Sequence, residues 1–211
     1  MRLGVLISGR GSNLQALIDA TSDDAFPATL AVVVSNEAGA GGLKRAQSAG
    51  IPTEIVSHRD VKPKAAFEAK LTEALHLYKV DLVCCAGFMR LLSEAFVTDW
   101  KDRLINIHPS LLPSFRGLDV HARALSAGVK VSGCTVHYVR VEMDDGPIIG
   151  QAAVPVLSGD TPERLAARVL EAEHQLYPAC VRAIAEGRTR IQGGRVIVDG
   201  EPRPIALSSL R

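Results

Sequence analysis

Three things that the sequence lacks narrow its function before any motif is considered. It has no basic excess, because 24 Lys and Arg residues stand against 23 Asp and Glu residues, a formal net charge of +1. A protein that holds a nucleic acid backbone needs such an excess. No apolar run approaches the ~20 residues that cross a bilayer, and the first residues show no signal-peptide pattern. We therefore expect a cytoplasmic protein with neither nucleic acid nor membrane as a partner.

The chain also lacks a disulfide framework and a paired cysteine motif. Its four cysteines lie in or beside apolar runs, at Cys84, Cys85, Cys134 and Cys180. None of them has the spacing of a metal site. We therefore expect buried, reduced thiols, as in a cytosolic protein, and no metal.

What the chain does have is an alternation of short apolar runs with amphipathic segments. Its 211 residues fit one α/β domain that buries a sizeable core. The alternation predicts a doubly wound, Rossmann-like, mostly parallel twisted sheet of about seven strands, with helices on both faces. The predicted strands cover residues 2–8, 29–34, 51–56, 81–86, 104–108, 131–139 and 148–156. The predicted helices cover residues 14–18, 39–50, 63–78, 93–100, 119–127 and 161–187.

Several residues predict how these elements begin and end. We expect Ser12 or Asn13 to cap the first helix and Ser93 to cap the fourth. Pro178 should kink or restart the long last helix. A glycine pair at residues 193–194 predicts a terminal hairpin over residues 190–198.

A glycine-containing turn at residues 9–13 joins the first predicted strand to the first helix. Backbone N–H groups at such a helix start attract a phosphate. A dinucleotide-binding motif is excluded, because Leu14 occupies its third glycine position and the second strand ends in Ser35 and Asn36, without an acidic residue for a ribose. The residues leave two alternatives equally open: a site for a single phosphate, or an ordinary strand-to-helix turn.

The fourth predicted strand runs into Gly87, Phe88, Met89, Arg90, Leu91 and Leu92. Apolar side chains and exposed backbone at a strand end could form a slot for a flat heterocycle. The alternative is a hydrophobic loop packed on a neighbouring helix, and the residues alone favour it.

The strongest site signal is the end of the fifth predicted strand. Apolar residues run into Asn106 and His108, and Pro109 and Pro113 then stop regular structure. Strand alternation places Asn106 and His108 on one face. In an open parallel sheet, ligands bind where strands end. An amide donor beside a group that titrates near neutrality suits a reaction that builds negative charge on an oxygen while a proton moves.

A carboxylate beside such a ring would orient it and favour its charged form. Asp144 is a candidate, in the acidic loop over residues 140–146, but the sequence alone does not bring it to His108. Two further histidines compete for a role. We interpret His137, in the middle of a strand, as structural. His121, on a predicted helix near the Pro113 loop, could support the site from behind, but we favour a surface position.

Two more polar residues allow both a functional and a structural interpretation. Ser110 could contact a substrate near the Asn106–His108 pair, or its hydroxyl could bond its own turn. Glu173 lies at the edge of the apolar stripe of the last helix. It could face a cleft and bind ribose hydroxyls or an amine, but a solvated helix charge is the default.

Four motifs, in order along the chain, resemble those of the folate-dependent formyltransferases. They are Val5-Leu6-Ile7-Ser8-Gly9-Arg10-Gly11-Ser12-Asn13-Leu14-Gln15-Ala16, Ala86-Gly87-Phe88-Met89-Arg90, Asn106-Ile107-His108-Pro109-Ser110-Leu111-Leu112-Pro113 followed by Gly117, and Asp144-Asp145-Gly146-Pro147. The resemblance extends from residue 1 to about Gly187. It implies transfer of a formyl group from 10-formyltetrahydrofolate, as co-substrate, to the amine of glycinamide ribonucleotide in purine biosynthesis.

The resemblance also implies a role for individual residues. Asn106, His108 and Asp144 fall on the family's catalytic positions. The implied contacts to glycinamide ribonucleotide are Gly11, Ser12, Asn13, Ser110 and Glu173. The implied folate contacts are Lys64, Phe88, Met89, Arg90, Leu91, Leu92, Asn106, Arg140, Val141, Glu142, Met143 and Asp144. Lys64 stands where the family often has an arginine, and it lacks the fork geometry of that residue.

These roles predict how one formyltransferase domain over residues 1–211 is organised. We expect a phosphate-binding half over residues 1–100 and a catalytic and folate-binding half over residues 101–190. A hairpin and tail at residues 188–211 would complete the chain. The oligomeric state, monomer or dimer, stays open.

Two other functions remain as alternatives. A related enzyme with the same core could formylate an aminoacyl-tRNA or an amino sugar, or hydrolyse the formyl folate. The tRNA enzyme carries an extra C-terminal domain and the hydrolase an extra N-terminal one, and we expect neither here. A non-catalytic folate or nucleotide sensor would have no need to keep Asn106, His108 and Asp144 together.

Overall fold

A computed structural model of the chain describes residues 1–200. Within them nine strands and six helices follow one another along the chain. They are β1 (Arg2–Ile7), α1 (Ser12–Thr21), β2 (Thr29–Ser35), α2 (Gly41–Ser48), β3 (Thr53–Ile55), α3 (Lys64–Leu77), β4 (Leu82–Cys85), α4 (Glu94–Asp99), β5 (Leu104–His108), α5 (Val120–Ser126), β6 (Val131–Tyr138), β7 (Ile148–Pro155), α6 (Pro162–Ala185), β8 (Thr189–Gln192) and β9 (Arg195–Val198).

Seven of the strands form one sheet, in the order β3-β2-β1-β4-β5-β6-β7. β1 pairs in parallel with β2 and β4, as β2 does with β3 and β4 with β5, whereas β6 and β7 are antiparallel. β8 and β9 form the terminal hairpin. The predicted fold class is therefore confirmed. The strand order reverses between β1 and β4, and ligands of open α/β sheets bind outside the carboxyl ends of strands at such a switch point.

The chain forms two compact units, one over residues 1–106 and one from residue 107 onward, so that the division falls within β5. In the first unit, the fully buried strand β4 and the inner residues of β1 and β2 form the core. In the second, α6 packs a buried stripe against β6 and β7. The functional halves at residues 1–100 and 101–190 stay predictions. Residues 201–211 of the predicted tail lie outside the described residues.

Of the predictions about helix caps, one is wrong and one is confirmed. α1 is capped by Gly11, in the left-handed region with φ of 71°, and not by Ser12 or Asn13, which already lie inside the helix. α6 continues through Pro178, so the predicted restart is wrong, whereas the alternative, a kink at Pro178, stays a prediction. A proline removes one helical hydrogen bond, but α6 buries an apolar stripe on both sides of it. Ser93 does cap α4, because its hydroxyl accepts the Phe96 N–H.

None of the helices in residues 1–200 has the length and apolar character needed to cross a bilayer.

Candidate active site

β5 carries His108 to the point where Pro109 ends the strand. Leu104 and Ile105 are completely buried and fix the strand, and His108 itself is 6% exposed. Its ring lies between two oxygen acceptors: Nε2 is 3.1 Å from the Phe115 carbonyl and Nδ1 is 3.4 Å from Asp144 Oδ2. Only the imidazolium, which has an N–H on each nitrogen, can donate to both. An oxygen atom therefore faces each ring nitrogen of His108.

Asp144 lies in the loop between β6 and β7, with a positive φ of 53°. Its Oδ2 also accepts the Gly117 N–H at 2.9 Å, and its Oδ1 is 3.8 Å from His137 Nε2. The carboxylate thus lies among an amide and two imidazoles, and its side chain is only 11% exposed. The structure brings together His108 and Asp144, which the resemblance linked and the sequence alone did not.

Two further histidines belong to this cluster. His137 is 2% exposed, and its Nδ1 lies 3.1 Å from the Tyr138 carbonyl. Burial lowers its pKa, although the Tyr138 carbonyl and Asp144 oppose that change. His121 is half-buried, and burial together with the charge of His108 lowers its pKa. The interpretation of His121 as a surface residue stays a prediction, and that of His137 as structural misses its contact with Asp144.

A residue that sequence reasoning missed, Thr135 on β6, holds the loop that follows His108. It is completely buried, and its hydroxyl donates to the Ser110 carbonyl at 2.7 Å. The same oxygen accepts the Leu112 N–H and the Gln151 side-chain amide, each at 3.0 Å. The sequence contained one signal for this role, because alternation places Thr135 and His137 on the same face of the strand.

Ser110 and Glu173 are both buried. The Ser110 hydroxyl donates to the Ser114 carbonyl at 2.6 Å, which is the turn bond that the sequence left as an alternative. Glu173, on α6, is 6% exposed and is not the solvated helix charge taken as the default. It lies close enough to Cys134 that its charge, together with the larger effect of burial, raises the pKa of that thiol to about 12.

The glycine turn before α1 lies in close contact with the start of α2. A Cβ on Gly11 would lie 2.6 Å from the Gly42 Cα, at the beginning of α2, in addition to its positive φ. The Gly42 N–H donates to the Gly9 carbonyl at 3.0 Å. From the other side, Arg45 Nε donates to the Arg10 carbonyl at 3.0 Å. These contacts hold the turn from two sides, at the N-terminus of α1.

Large apolar side chains are exposed in both predicted folate segments. In the segment after β4, Met89 is 70% and Leu91 69% exposed; in the loop after β6, Val141 is 51% and Met143 54% exposed. Met89 and Leu91 therefore do not pack on a neighbouring helix, which had been the alternative for their segment.

The remaining predicted folate contacts have varied environments. Phe88, Leu92, Asn106 and Arg140 are half-buried, whereas Arg90 and Glu142 are exposed. Lys64, at the start of α3, has its Nζ 3.8 Å from the Glu68 carboxylate. Within residues 1–200, no three His, Cys, Asp or Glu side chains are grouped as they would be around a metal ion.

The sequence and the fold are those of a known family. A model described as "Formyl transferase" matches residues 1–181, and the chain belongs to that family.

Individual relatives show which members of this family the chain resembles. The chain is 44% identical to phosphoribosylglycinamide formyltransferase of Escherichia coli, over 97% of this chain and 96% of that protein. It is 50% identical to the trifunctional purine biosynthetic protein adenosine-3 of Bos taurus, over 92% of this chain, but it spans only 19% of that protein's length. Its structure superposes on glycinamide ribonucleotide transformylase 1 of Symbiobacterium toebii with a TM-score of 0.91 and 50% identity, covering 94% and 93% of the two chains.

Proposed function

We propose that this chain transfers the formyl group of 10-formyltetrahydrofolate to the amine of glycinamide ribonucleotide. The observation that carries the proposal is the buried His108–Asp144 pair at the end of β5, in a chain of the formyl transferase family. The Escherichia coli relative, matched over nearly its whole length, bears the name of this activity.

The chemistry follows from what these groups can donate. Attack of the amine on the formyl carbon forms a tetrahedral intermediate with a negative oxygen. The Asn106 side-chain amide would donate to that oxygen, and a single donor of this kind is typically worth about 3 kcal/mol of barrier. His108 would pass a proton to the folate nitrogen as its bond to the formyl carbon breaks, and would take one from the attacking amine. Asp144 would keep the ring oriented and compensate its charge.

Contacts with the two substrates are proposed on the same basis. Backbone N–H groups at Gly11, Ser12 and Asn13 would hold the phosphate, which the start of α1 suits. The exposed apolar residues at 88–92 and 140–144 would bind the pterin. A direct contact from Ser110 loses support, because its hydroxyl already bonds Ser114.

An absorbance assay tests the activity. We expect the folate spectrum to change only when both 10-formyltetrahydrofolate and glycinamide ribonucleotide are present. Loss of the formyl group without the amine would instead indicate a hydrolase, and no change with either mixture would indicate a binding protein.

The His108→Ala variant tests the role of the ring. It should lose most of the turnover and keep the folate dissociation constant nearly unchanged. His76→Ala, at an exposed histidine on α3, is the matched control. Full activity of His108→Ala would exclude the assignment.

We also propose a cytoplasmic location, with small-molecule substrates as the partners. The four cysteines, all in the described part of the chain, are buried and form no disulfide. Burial raises the pKa of Cys85 and Cys180 to about 12, so that their thiols stay protonated. Unpaired thiols are the rule in reducing compartments.

A further inference from the structure

Glu68 on α3 is a buried carboxylate that has no part in the proposed reaction. It is 5% exposed, and Ser93 hydrogen-bonds both of its oxygens, while Lys64 Nζ lies 3.8 Å from Oε1. Oε1 accepts the Ser93 N–H at 2.7 Å, and Oε2 accepts the Ser93 hydroxyl in a short hydrogen bond. Burying a carboxylate is costly, and charge-assisted hydrogen bonds are what offset that cost. Both hydrogen bonds go to Ser93, at the end of the segment that leads into α4, and the half-exposed Lys64 is the nearby counter-charge.

That segment, residues 87–93, has little else to hold it in place. It has no regular secondary structure, and its large side chains Met89 and Leu91 are mostly exposed. At its start the Met89 N–H donates to the Ser8 hydroxyl at 2.8 Å, directly after β1. At its end Ser93 is bound by Glu68 and caps α4. Hydrogen bonds to Ser8 and Glu68 thus fix the two ends of a segment in which only Phe88 and Leu92, among the large apolar side chains, are half-buried.

We infer that Glu68 is a positioning residue for the folate-binding segment, residues 87–93. This inference rests on the proposed function, because it takes that segment to be part of the pterin pocket. Glu68 is fixed by its own helix, where Phe67 and Leu71 are buried on either side of it in sequence. Its hydrogen bonds hold Ser93 at a fixed place beside α3. They thereby keep the segment in one conformation before folate binds. A pocket that is ordered in advance binds its ligand at a lower entropic cost.

Glu68→Ala and the milder Glu68→Gln, whose amide still accepts the Ser93 N–H, test the inference. We expect Glu68→Ala to raise the dissociation constant and the KM for the folate about tenfold, the scale of one lost hydrogen bond to a charged group. Glu68→Gln should raise both values by a smaller factor. The KM for glycinamide ribonucleotide should change less than about twofold, because its proposed contacts lie elsewhere.

Two further measurements separate positioning from stability. Hydrogen exchange at residues 87–93 should accelerate in Glu68→Ala and slow when folate binds to the wild type. Trp100, the single tryptophan, follows directly after α4 and should report any displacement of that helix in its fluorescence. Glu54→Gln is the matched control, because Glu54 in the same unit accepts a hydrogen bond from the Tyr78 hydroxyl at 3.0 Å and does not bond the segment.

The outcomes are distinct. A folate dissociation constant within twofold of wild type in Glu68→Ala, with unchanged exchange, overturns the inference, as does an equal loss of folate binding in Glu54→Gln. If Glu68→Ala does not fold, Glu68→Gln and Ser93→Ala decide the question. A wild type that binds folate but formylates nothing refutes the proposed function and leaves the binding and exchange tests valid. A wild type that binds no folate refutes both.

Discussion

Replacing Asp144 by Asn tests the contact on which the proposed chemistry depends. The substitution keeps the size of the side chain and an oxygen that can still accept the Gly117 N–H, which lies 2.9 Å from Oδ2. It removes the negative charge that faces both His108 and His137. The loop should therefore stay in place, while the positive charge that His108 would carry during proton transfer loses its counter-charge.

The expected loss of kcat in Asp144→Asn follows from the distance between the two side chains. At 3.4 Å from Nδ1 to Oδ2, with an effective dielectric constant of about 20, the two charges attract by about 5 kcal/mol. The carboxylate is shared with the His137 ring and is slightly exposed to water, which reduces the loss to about 3 kcal/mol. If that loss falls on the transition state, kcat should drop by about 100-fold.

Steady-state kinetics with both substrates provide the assay. We expect the fall in kcat for Asp144→Asn with KM values close to wild type. Asp145→Asn is the control, because the neighbouring carboxylate is 46% exposed and pairs with Arg116. Asp145→Asn should change kcat by less than about twofold, because exposed ion pairs contribute little to the stability of a fold. A kcat for Asp144→Asn within fivefold of wild type, or an equal loss in Asp145→Asn, would refute the reasoning.

Three other predictions concern the same cluster. In Gly146→Ala the new Cβ would lie 1.6 Å from the Tyr138 carbonyl oxygen, so the loop must shift. The kcat should therefore fall about 100-fold. Gly39→Ala is the control, because its Cβ would lie in open space and kcat should stay unchanged. Thr135→Val removes the hydroxyl that makes three hydrogen bonds and should lower the free energy of unfolding in urea by about 2–4 kcal/mol; a loss below about 0.5 kcal/mol would contradict that assignment. Because burial lowers the pKa of His137, the unfolded chain takes up a proton there at a higher pH than the folded protein, near the ordinary pKa of about 6.5. Stability therefore falls as the pH falls through that value. His137→Gln should reduce this loss, and an unchanged pH dependence of unfolding would contradict it.

The elements that were predictable from the sequence are those determined by local patterns. The apolar run that Pro109 terminates became β5, and the strand after it placed Thr135 and His137 on one face. The serine cap of α4 and the terminal hairpin were also predicted, because both depend on residues next to each other in the chain.

The elements that were not predictable depend on contacts between distant residues. Gly11, and not Ser12, caps α1. The start of α2 at Gly42 lies so close to Gly11 that a Cβ at this position would collide with it. Glu173 is buried because of the elements packed around α6, which no pattern within the helix shows.

The same holds within the candidate site. Asp144 meets His108 across 36 residues, and only the family resemblance indicated that pair. The bond from Glu68 to Ser93 joins a helix to a segment 25 residues later, and no sequence signal marked it.

The most direct test of the account is to follow the formyl carbon itself. 10-Formyltetrahydrofolate labelled with ¹³C in the formyl group would be mixed with glycinamide ribonucleotide and the wild-type protein, and the label followed by NMR. The account predicts that the ¹³C signal moves from the folate to an amide of the nucleotide, and that it does so at least 100-fold more slowly in His108→Ala. Label that appears as free formate, or that stays on the folate, would contradict it.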